Sequence, residues 1–81
     1  MKAECIECLI DCNREIEFTY LGKEYSITYY NDKRENYISV CEAFKKPIDV
    51  KNASEVLKLK IGSLTLEQIF AKLPDSAFDI Y

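Results

Sequence analysis

An α+β fold with an antiparallel sheet is predicted by a pair of strand patterns joined at a turn and by two helix-start signals nearer the C-terminus. Residues 14–30 alternate apolar and polar side chains with a period of two, which is typical of half-buried strands. Asn52 and Thr65 each stand three residues before a Glu or Gln, the spacing of a capping box. These observations predict an N-terminal helix, a three-stranded antiparallel β-meander and two short C-terminal helices packed on one face of the sheet.

Length and composition predict one small cytoplasmic domain over residues 1–81. A chain of 81 residues buries only ~60–65% of its unfolded surface, so its core is thin. Hydrophobic residues make up 48% and charged residues 31% of the chain, as in ordinary globular proteins. No apolar run approaches ~18 residues, so we expect no membrane contact and no signal peptide. The net charge of −3 argues against nucleic-acid binding, because phosphate contact needs a basic surface.

Residues 3–12 are predicted to form a short amphipathic helix. Its apolar stripe follows helical spacings of three and four and comprises Cys5, Cys8, Leu9 and Cys12. The acidic side chains fall on the other side, so the cysteines are expected on the buried face. Asn13 is expected to end the helix as a left-handed residue.

The hairpin is predicted in residue detail. Gly22 and Lys23 are assigned as its two turn residues, because Gly22 supplies the positive φ that a type II′ turn needs. The resulting cross-strand pairs are Tyr20 with Tyr25, Phe18 with Ile27, and Ile16 with Tyr29. All six apolar side chains then share one face, and a slip of one residue would expose them. That face predicts that helices pack over the hairpin.

The third strand and the segment before it are less sharply defined by the pattern. The all-polar run 31–36 predicts a loop. Residues 37–44 predict a strand with Ile38 and Val40 inward, and the opposite phase, with Cys41 inward, stays open.

The two C-terminal helices are placed by their caps. The first is expected to run from Asn52 to a stop at Gly62. The second begins at Thr65 and carries an apolar stripe of Leu66, Ile69, Phe70 and Leu73. Residues 75–81 are either a loose tail or a short strand through Phe78 and Ile80.

The run CIECLIDC is the constellation that could carry chemistry. Its spacing resembles part of a bacterial iron–sulfur run, but a further Cys upstream and a Pro after the last Cys are missing. Cys5 and Cys12 lie ~10.5 Å apart on a continuous helix, whereas two thiolates on one zinc need sulfurs within ~4 Å. We therefore expect reduced, structural cysteines and no metal or other cofactor. The alternative is a metal-binding or redox protein that uses Cys5, Cys8, Cys12 and Cys41.

No catalytic residue is predicted. The chain has no His, so a Ser or Cys nucleophile lacks its usual base, and no carboxylate pair or phosphate-binding glycine loop is present. Tyrosines near basic residues are compatible with base stacking. However, Tyr20, Tyr25 and Tyr29 are needed for the apolar face of the hairpin, so we expect neither an enzyme nor a nucleic-acid-binding protein.

The runs REIEFTYLGKEYSI and NASEVLKLKIGSLTLEQIF resemble segments of a group of small uncharacterised proteins of Gram-positive bacteria and their mobile elements. The likeness covers Ile10 to about Phe70 and consists of structural motifs, so it implies a fold and no reaction. Together with the lack of catalytic groups it predicts a non-enzymatic protein-interaction module, such as a small regulator or inhibitor from a mobile element. We expect it to bind another protein through an exposed sheet edge or an acidic surface. The edge could also pair with a second copy, and the oligomeric state stays open.

Overall fold

The computed structural model describes the backbone of residues 1–81 and every side chain except that of Asp32. Over this described part the chain is α+β, as predicted. Its elements in chain order are α1 (Ala3–Asp11), β1 (Ile16–Tyr20), β2 (Lys23–Asp32), β3 (Glu35–Glu42), β4 (Ile48–Val50), α2 (Ala53–Lys58), β5 (Lys60–Ile61), β6 (Leu64–Thr65), α3 (Leu66–Lys72), a 3-10 turn (Asp75–Ala77) and β7 (Phe78–Ile80).

The described strands form an antiparallel sheet in the order β4-β3-β2-β1-β7, and β5 pairs with β6 in a separate two-stranded ribbon. The prediction of a three-stranded meander is therefore wrong in strand number, because β4 and β7 extend it at both edges. Each of these strands has three residues, too few for a period-two pattern to stand out. The C-terminal residues form the strand alternative, with Phe78 opposite Phe18.

The first hairpin has a register two residues away from the predicted one. Phe18 lies opposite Tyr25 and Tyr20 lies opposite Lys23, so the turn is Leu21–Gly22 rather than Gly22–Lys23. Both turn residues have positive φ, 51° and 76°, which is the type I′ conformation rather than type II′. A shift of two residues keeps each side chain on its face. The inward residues stay inward: Ile16, Phe18, Tyr25 and Ile27 are buried, and Tyr20 and Tyr29 are half-buried.

The β2–β3 connection is tighter than the predicted loop. The strands pair up to a two-residue turn at Lys33 and Arg34, whose φ values are 48° and 74°. In β3, Ile38 and Val40 are buried, so the predicted phase is confirmed. Cys41, the open alternative, is half-buried on the other face, where it lies opposite Ser26.

All three helices pack on the inward face of the sheet and share one core with it. Phe18 is the centre of an aromatic cluster, with ring centroids 5.2 Å from Tyr25, 5.1 Å from Phe70 and 5.9 Å from Phe78. The outward face carries no helix and is lined mainly by small polar and charged side chains. The fold is thus two layers, with one sheet face uncovered.

Helix α1 buries a different stripe from the predicted one. Ile6 and Ile10 face the core with at most 3% exposure, while Cys5, Cys8 and Cys12 are exposed. The prediction of buried cysteines is wrong because burial of two isoleucines contributes more hydrophobic free energy than burial of thiols. The helix ends as predicted at Asn13, whose φ is 56°. Its N–H and that of Arg14 donate to the carbonyls of Ile10 and Leu9, which is a Schellman motif.

The caps of α2 and α3 are confirmed. Asn52 accepts a hydrogen bond from the Glu55 N–H at 2.9 Å, and Thr65 forms a complete capping box with Gln68. Helix α2 nevertheless ends at Lys58 rather than at Gly62. Gly62, with φ 65°, lies instead in the turn of the β5–β6 ribbon, because a two-residue hairpin requires the same left-handed backbone as a helix end.

None of the helices in the described part of the chain is long and apolar enough to span a bilayer.

Candidate functional site

Two bulky apolar side chains project into solvent from neighbouring turns at one end of the sheet. Leu21, in the β1–β2 turn, is 80% exposed, and Phe44, between β3 and β4, is 106% exposed relative to a reference chain. Exposed apolar side chains are common singly. Here, however, both residues also hold a left-handed backbone, φ 51° for Leu21 and 66° for Phe44, which is uncommon for bulky residues.

Phe44 occupies the position of its turn that usually carries Gly. The Lys45 N–H donates to the Glu42 carbonyl at 3.0 Å, which closes a four-residue turn with Phe44 as its third residue. A positive φ at this position is the signature of a type II turn, where Gly or Asn is preferred. The left-handed backbone costs an L-residue with a Cβ about 1–2 kcal/mol. Phe44 therefore adds a conformational cost to folding, and its exposed ring contributes no packing.

The two turns lie side by side. The Ala43 N–H donates to the Glu24 carbonyl at 2.8 Å, so the β2–β3 ladder continues to the base of both turns. A shallow concavity joins them, and its lining includes Gly22, Lys23, Phe44 and Lys45. We call Leu21, Lys23, Phe44 and Lys45 the turn-end surface.

A cleft of about 240 Å³ lies next to the turn-end surface, between the start of β4 and the β5–β6 ribbon. Its apolar lining comprises Tyr25, Val40, Ile48, Leu59, Ile61 and Leu66, and its charged lining comprises Glu42, Lys45, Lys46 and Lys60. We call it the lysine-rimmed cleft. Glu42 and Lys45 line both concavities, so the two form one continuous surface.

The charges of this surface are unevenly paired. Glu42 accepts a hydrogen bond from the Tyr25 hydroxyl at 2.8 Å and forms an ion pair with Lys23 at 3.7 Å. Burial, followed by the hydrogen bond and the charge of Glu42, raises the pKa of Tyr25 to about 12. The rim lysines Lys45, Lys46 and Lys60 have no ion-pair partner among the described side chains. The rim is thus locally basic on a chain whose net charge is −3.

The structure does not bring the four cysteines together. Cys5, Cys8 and Cys12 lie exposed along α1, and Cys41 lies on β3, where its thiol is 3.2 Å from the carbonyl oxygens of Glu42 and Lys45. Among the side chains that the structure describes, no group of three or more His, Cys, Asp or Glu is arranged to hold a metal ion. The N-terminal thiols form an exposed stripe along α1.

The basic residues that could suggest base stacking beside the tyrosines lie at two opposite ends of β3. Tyr30 and Tyr37 stack on each other with centroids 5.3 Å apart, and their hydroxyls donate to Asp49 and Glu35. The Lys33–Arg34 turn lies at the opposite end of β3 from Lys45. Each stacked ring is therefore held beside a carboxylate, which repels phosphate.

Sequence reasoning did not identify Leu21 and Phe44. The available signal was the pair Leu21–Gly22, because Gly is also favoured at the second position of a type I′ turn. Leu is disfavoured at the first position of a type I′ turn, so the sequence pattern alone predicts a different turn from the observed one.

Comparison with family models, with curated proteins and with solved structures finds no match for this chain. The resemblance to small proteins of mobile elements therefore stays a prediction, and the functional reading rests on the turn-end surface and the lysine-rimmed cleft.

Proposed function

We propose that this protein is a non-enzymatic protein-interaction module that docks a partner on the turn-end surface and the adjoining lysine-rimmed cleft. The observation that carries this proposal is the pair Leu21 and Phe44, each held in a left-handed backbone and each exposed. Strained backbone persists in proteins where it serves function, and aromatic side chains are enriched among the residues that dominate binding energy at interfaces.

The surface differs from the sheet edge and the acidic surface that the sequence suggests. The edge strands β4 and β7 have three residues each, which limits the backbone hydrogen bonds they offer to an added strand. The uncovered sheet face carries Glu17, Glu24 and Asp79, and charged residues are depleted at the centres of interfaces. The turn-end surface combines apolar anchors with a concavity beside them, and so it suits a protein partner better.

The Lys33–Arg34 turn supports the choice by contrast. It has the same left-handed backbone as Leu21–Gly22, but its side chains are charged and hydrated in solvent at little cost. Strain alone therefore does not single out a site. The turn-end surface is distinguished by strain together with apolar exposure.

The resemblance to small proteins of mobile elements favours a role as a regulator or inhibitor of a host or element protein. The absence of His from the chain agrees with action by binding rather than by catalysis.

The test is affinity capture from cell lysate with three immobilised forms of the chain. These are the wild type, the double variant Leu21→Asn with Phe44→Gly, and the matched control Lys33→Asn with Arg34→Gly. The control makes the same backbone-relaxing changes at the opposite end of the sheet. We expect a protein that is captured in near-stoichiometric amount by the wild type and the control and is lost with the double variant. Capture of the same proteins by all three forms would contradict the proposal.

A further inference from the structure

The lysine-rimmed cleft is shaped for a side chain rather than for a small-molecule ligand. Its volume of about 240 Å³ falls below the ~300–1,000 Å³ of typical small-molecule sites. It is partly open to solvent, and its lining includes Ile48 on β4 and Ile61 on the β5–β6 ribbon. A polypeptide that lies across this opening can insert one side chain and continue past it.

The cleft selects an apolar side chain. Its base includes Val40 and Leu66, which are 7% and 0% exposed. Ile48 at its margin is 52% exposed, so an inserted aliphatic or aromatic group would bury apolar surface that now contacts water. Such burial favours a complex, because apolar surface leaves water.

The rim selects negative charge. Lys45, Lys46 and Lys60 border the cleft without ion-pair partners among the described side chains. Glu42, the acidic residue of the lining, is already engaged by Lys23 and by the Tyr25 hydroxyl. Carboxylates on an incoming chain therefore meet uncompensated lysines, and complementary charge gives specificity to such an encounter.

Resting on the protein-interaction role, we propose that the occupant is an acidic polypeptide segment with one aliphatic or aromatic anchor. The anchor enters the lysine-rimmed cleft, flanking carboxylates pair with Lys45, Lys46 and Lys60, and Phe44 contacts the partner beyond the rim. A flat anionic membrane fits this surface less well, because it leaves the cleft unfilled and repels a chain of net charge −3.

The proposal is tested by fluorescence anisotropy with three pools of fluorescein-labelled peptides. The pools are DEDXDED and KRKXKRK, with X as Leu, Ile, Val, Met or Phe, and DEDSDED as the pool without an anchor. Binding is measured to the wild type, to Lys45→Glu with Lys46→Glu, and to the control Lys33→Glu with Arg34→Glu. All four substituted residues are exposed, so circular dichroism should show an unchanged fold in each variant.

We expect the wild type and the control to bind DEDXDED more tightly than either other pool, and binding to weaken as salt rises toward 0.15 M. Reversal of Lys45 and Lys46 should weaken it about tenfold, because two exposed attractive charge pairs are replaced by repulsive ones. Equal binding of DEDXDED and DEDSDED, or an equal loss with the Lys33 and Arg34 control, would overturn the proposal.

Other occupants give distinct results. Binding to phosphatidylserine vesicles that depends on Lys45 and Lys46, without peptide binding, would assign the surface to a membrane and overturn the proposal. A concentration-dependent dimer that the same substitutions dissolve would assign it to a second copy, with the same consequence. Failure of the peptides while the Leu21 and Phe44 variant still loses its captured protein overturns only the acidic partner. Unchanged capture overturns the protein-interaction role even where the peptides bind.

Discussion

Replacement of Leu21 by Asn and Phe44 by Gly should make the protein more stable and, at the same time, unable to bind its partner. Residues selected for stability avoid backbone strain, whereas residues selected for binding can retain it. Each substitution supplies the residue type that its turn prefers: Asn-Gly for the type I′ turn and Gly for the type II turn. A loss of binding in a more stable protein cannot be attributed to unfolding.

The magnitude follows from exposure and backbone. A bulky residue in the left-handed region costs about 1–2 kcal/mol. Phe44 is fully exposed, so its removal loses no packing. Introducing Gly nevertheless lowers stability by about 0.5–1 kcal/mol, because it gives the unfolded chain more conformational freedom. Leu21 is 80% exposed, and its remaining contacts contribute about 0.3–0.6 kcal/mol. The double variant should gain about 1–2 kcal/mol, which corresponds to a rise in Tm of roughly 4–15 °C for a chain of this size.

The assay is urea and thermal unfolding followed by far-UV circular dichroism, with each substitution made singly and together. Lys33→Asn is the matched control, because Lys33 holds φ 48° at the equivalent position of the β2–β3 turn. It should raise stability by a similar amount and leave capture of the partner unchanged. A loss of about 1 kcal/mol or more with Leu21→Asn or Phe44→Gly would refute the reasoning, since it would mean that these side chains stabilise the fold by packing.

Three further predictions concern the rest of the fold. In the native protein, a thiol reagent should modify three cysteines rapidly and Cys41 more slowly, because Cys41 is half-buried; the rapid ones are Cys5, Cys8 and Cys12. Equal protection of all four until unfolding would contradict the observed α1 face. Stability should be full below about pH 10 and fall toward about pH 12, because the folded-state pKa values of Tyr25 and Tyr29, each about 12, lie above the ordinary value of 10.0. In Tyr25→Phe, the urea unfolding midpoint should decrease less steeply with rising pH. An unchanged decrease would contradict the contribution of Tyr25. Phe78→Ala should cost up to about 3 kcal/mol by urea unfolding, since Phe78 is 8% exposed. The exposed control Asp79→Ala should stay within about 0.5 kcal/mol, and equal effects would argue against β7.

The parts of the fold that sequence predicts are those in which one physical requirement excludes the alternatives. Alternation places Phe18 and Ile27 inward, because a one-residue slip exposes the whole face. The caps at Asn52 and Thr65 are predictable because side-chain acceptors at those positions satisfy N–H groups that the helix leaves unpaired. Asn13 ends α1 because few other residues tolerate its φ of 56°.

Other elements depend on tertiary contacts that local pattern does not contain. Strands β4 and β7 exist because β3 and β1 offer them edges, and three-residue strands carry little signal of their own. Helical spacing predicts that the cysteines form the buried face of α1, but Ile6 and Ile10 have helical spacing too. The choice between two valid stripes is made by the surface that the helix packs against.

The hairpin register explains why the candidate site was missed together with the turn. Pairings that differ by two residues bury the same side chains, so alternation cannot choose between them, and turn chemistry has to decide. Turn chemistry favours Gly22 as the first turn residue, because the alternative forces Leu21 into a left-handed backbone. The structure adopts that alternative and leaves Leu21 exposed next to Phe44. Positions where a sequence breaks a local rule are those where selection other than folding is expected to act. The wrong register and the proposed docking surface thus have the same origin: a residue that is poor for its turn and is left exposed to solvent.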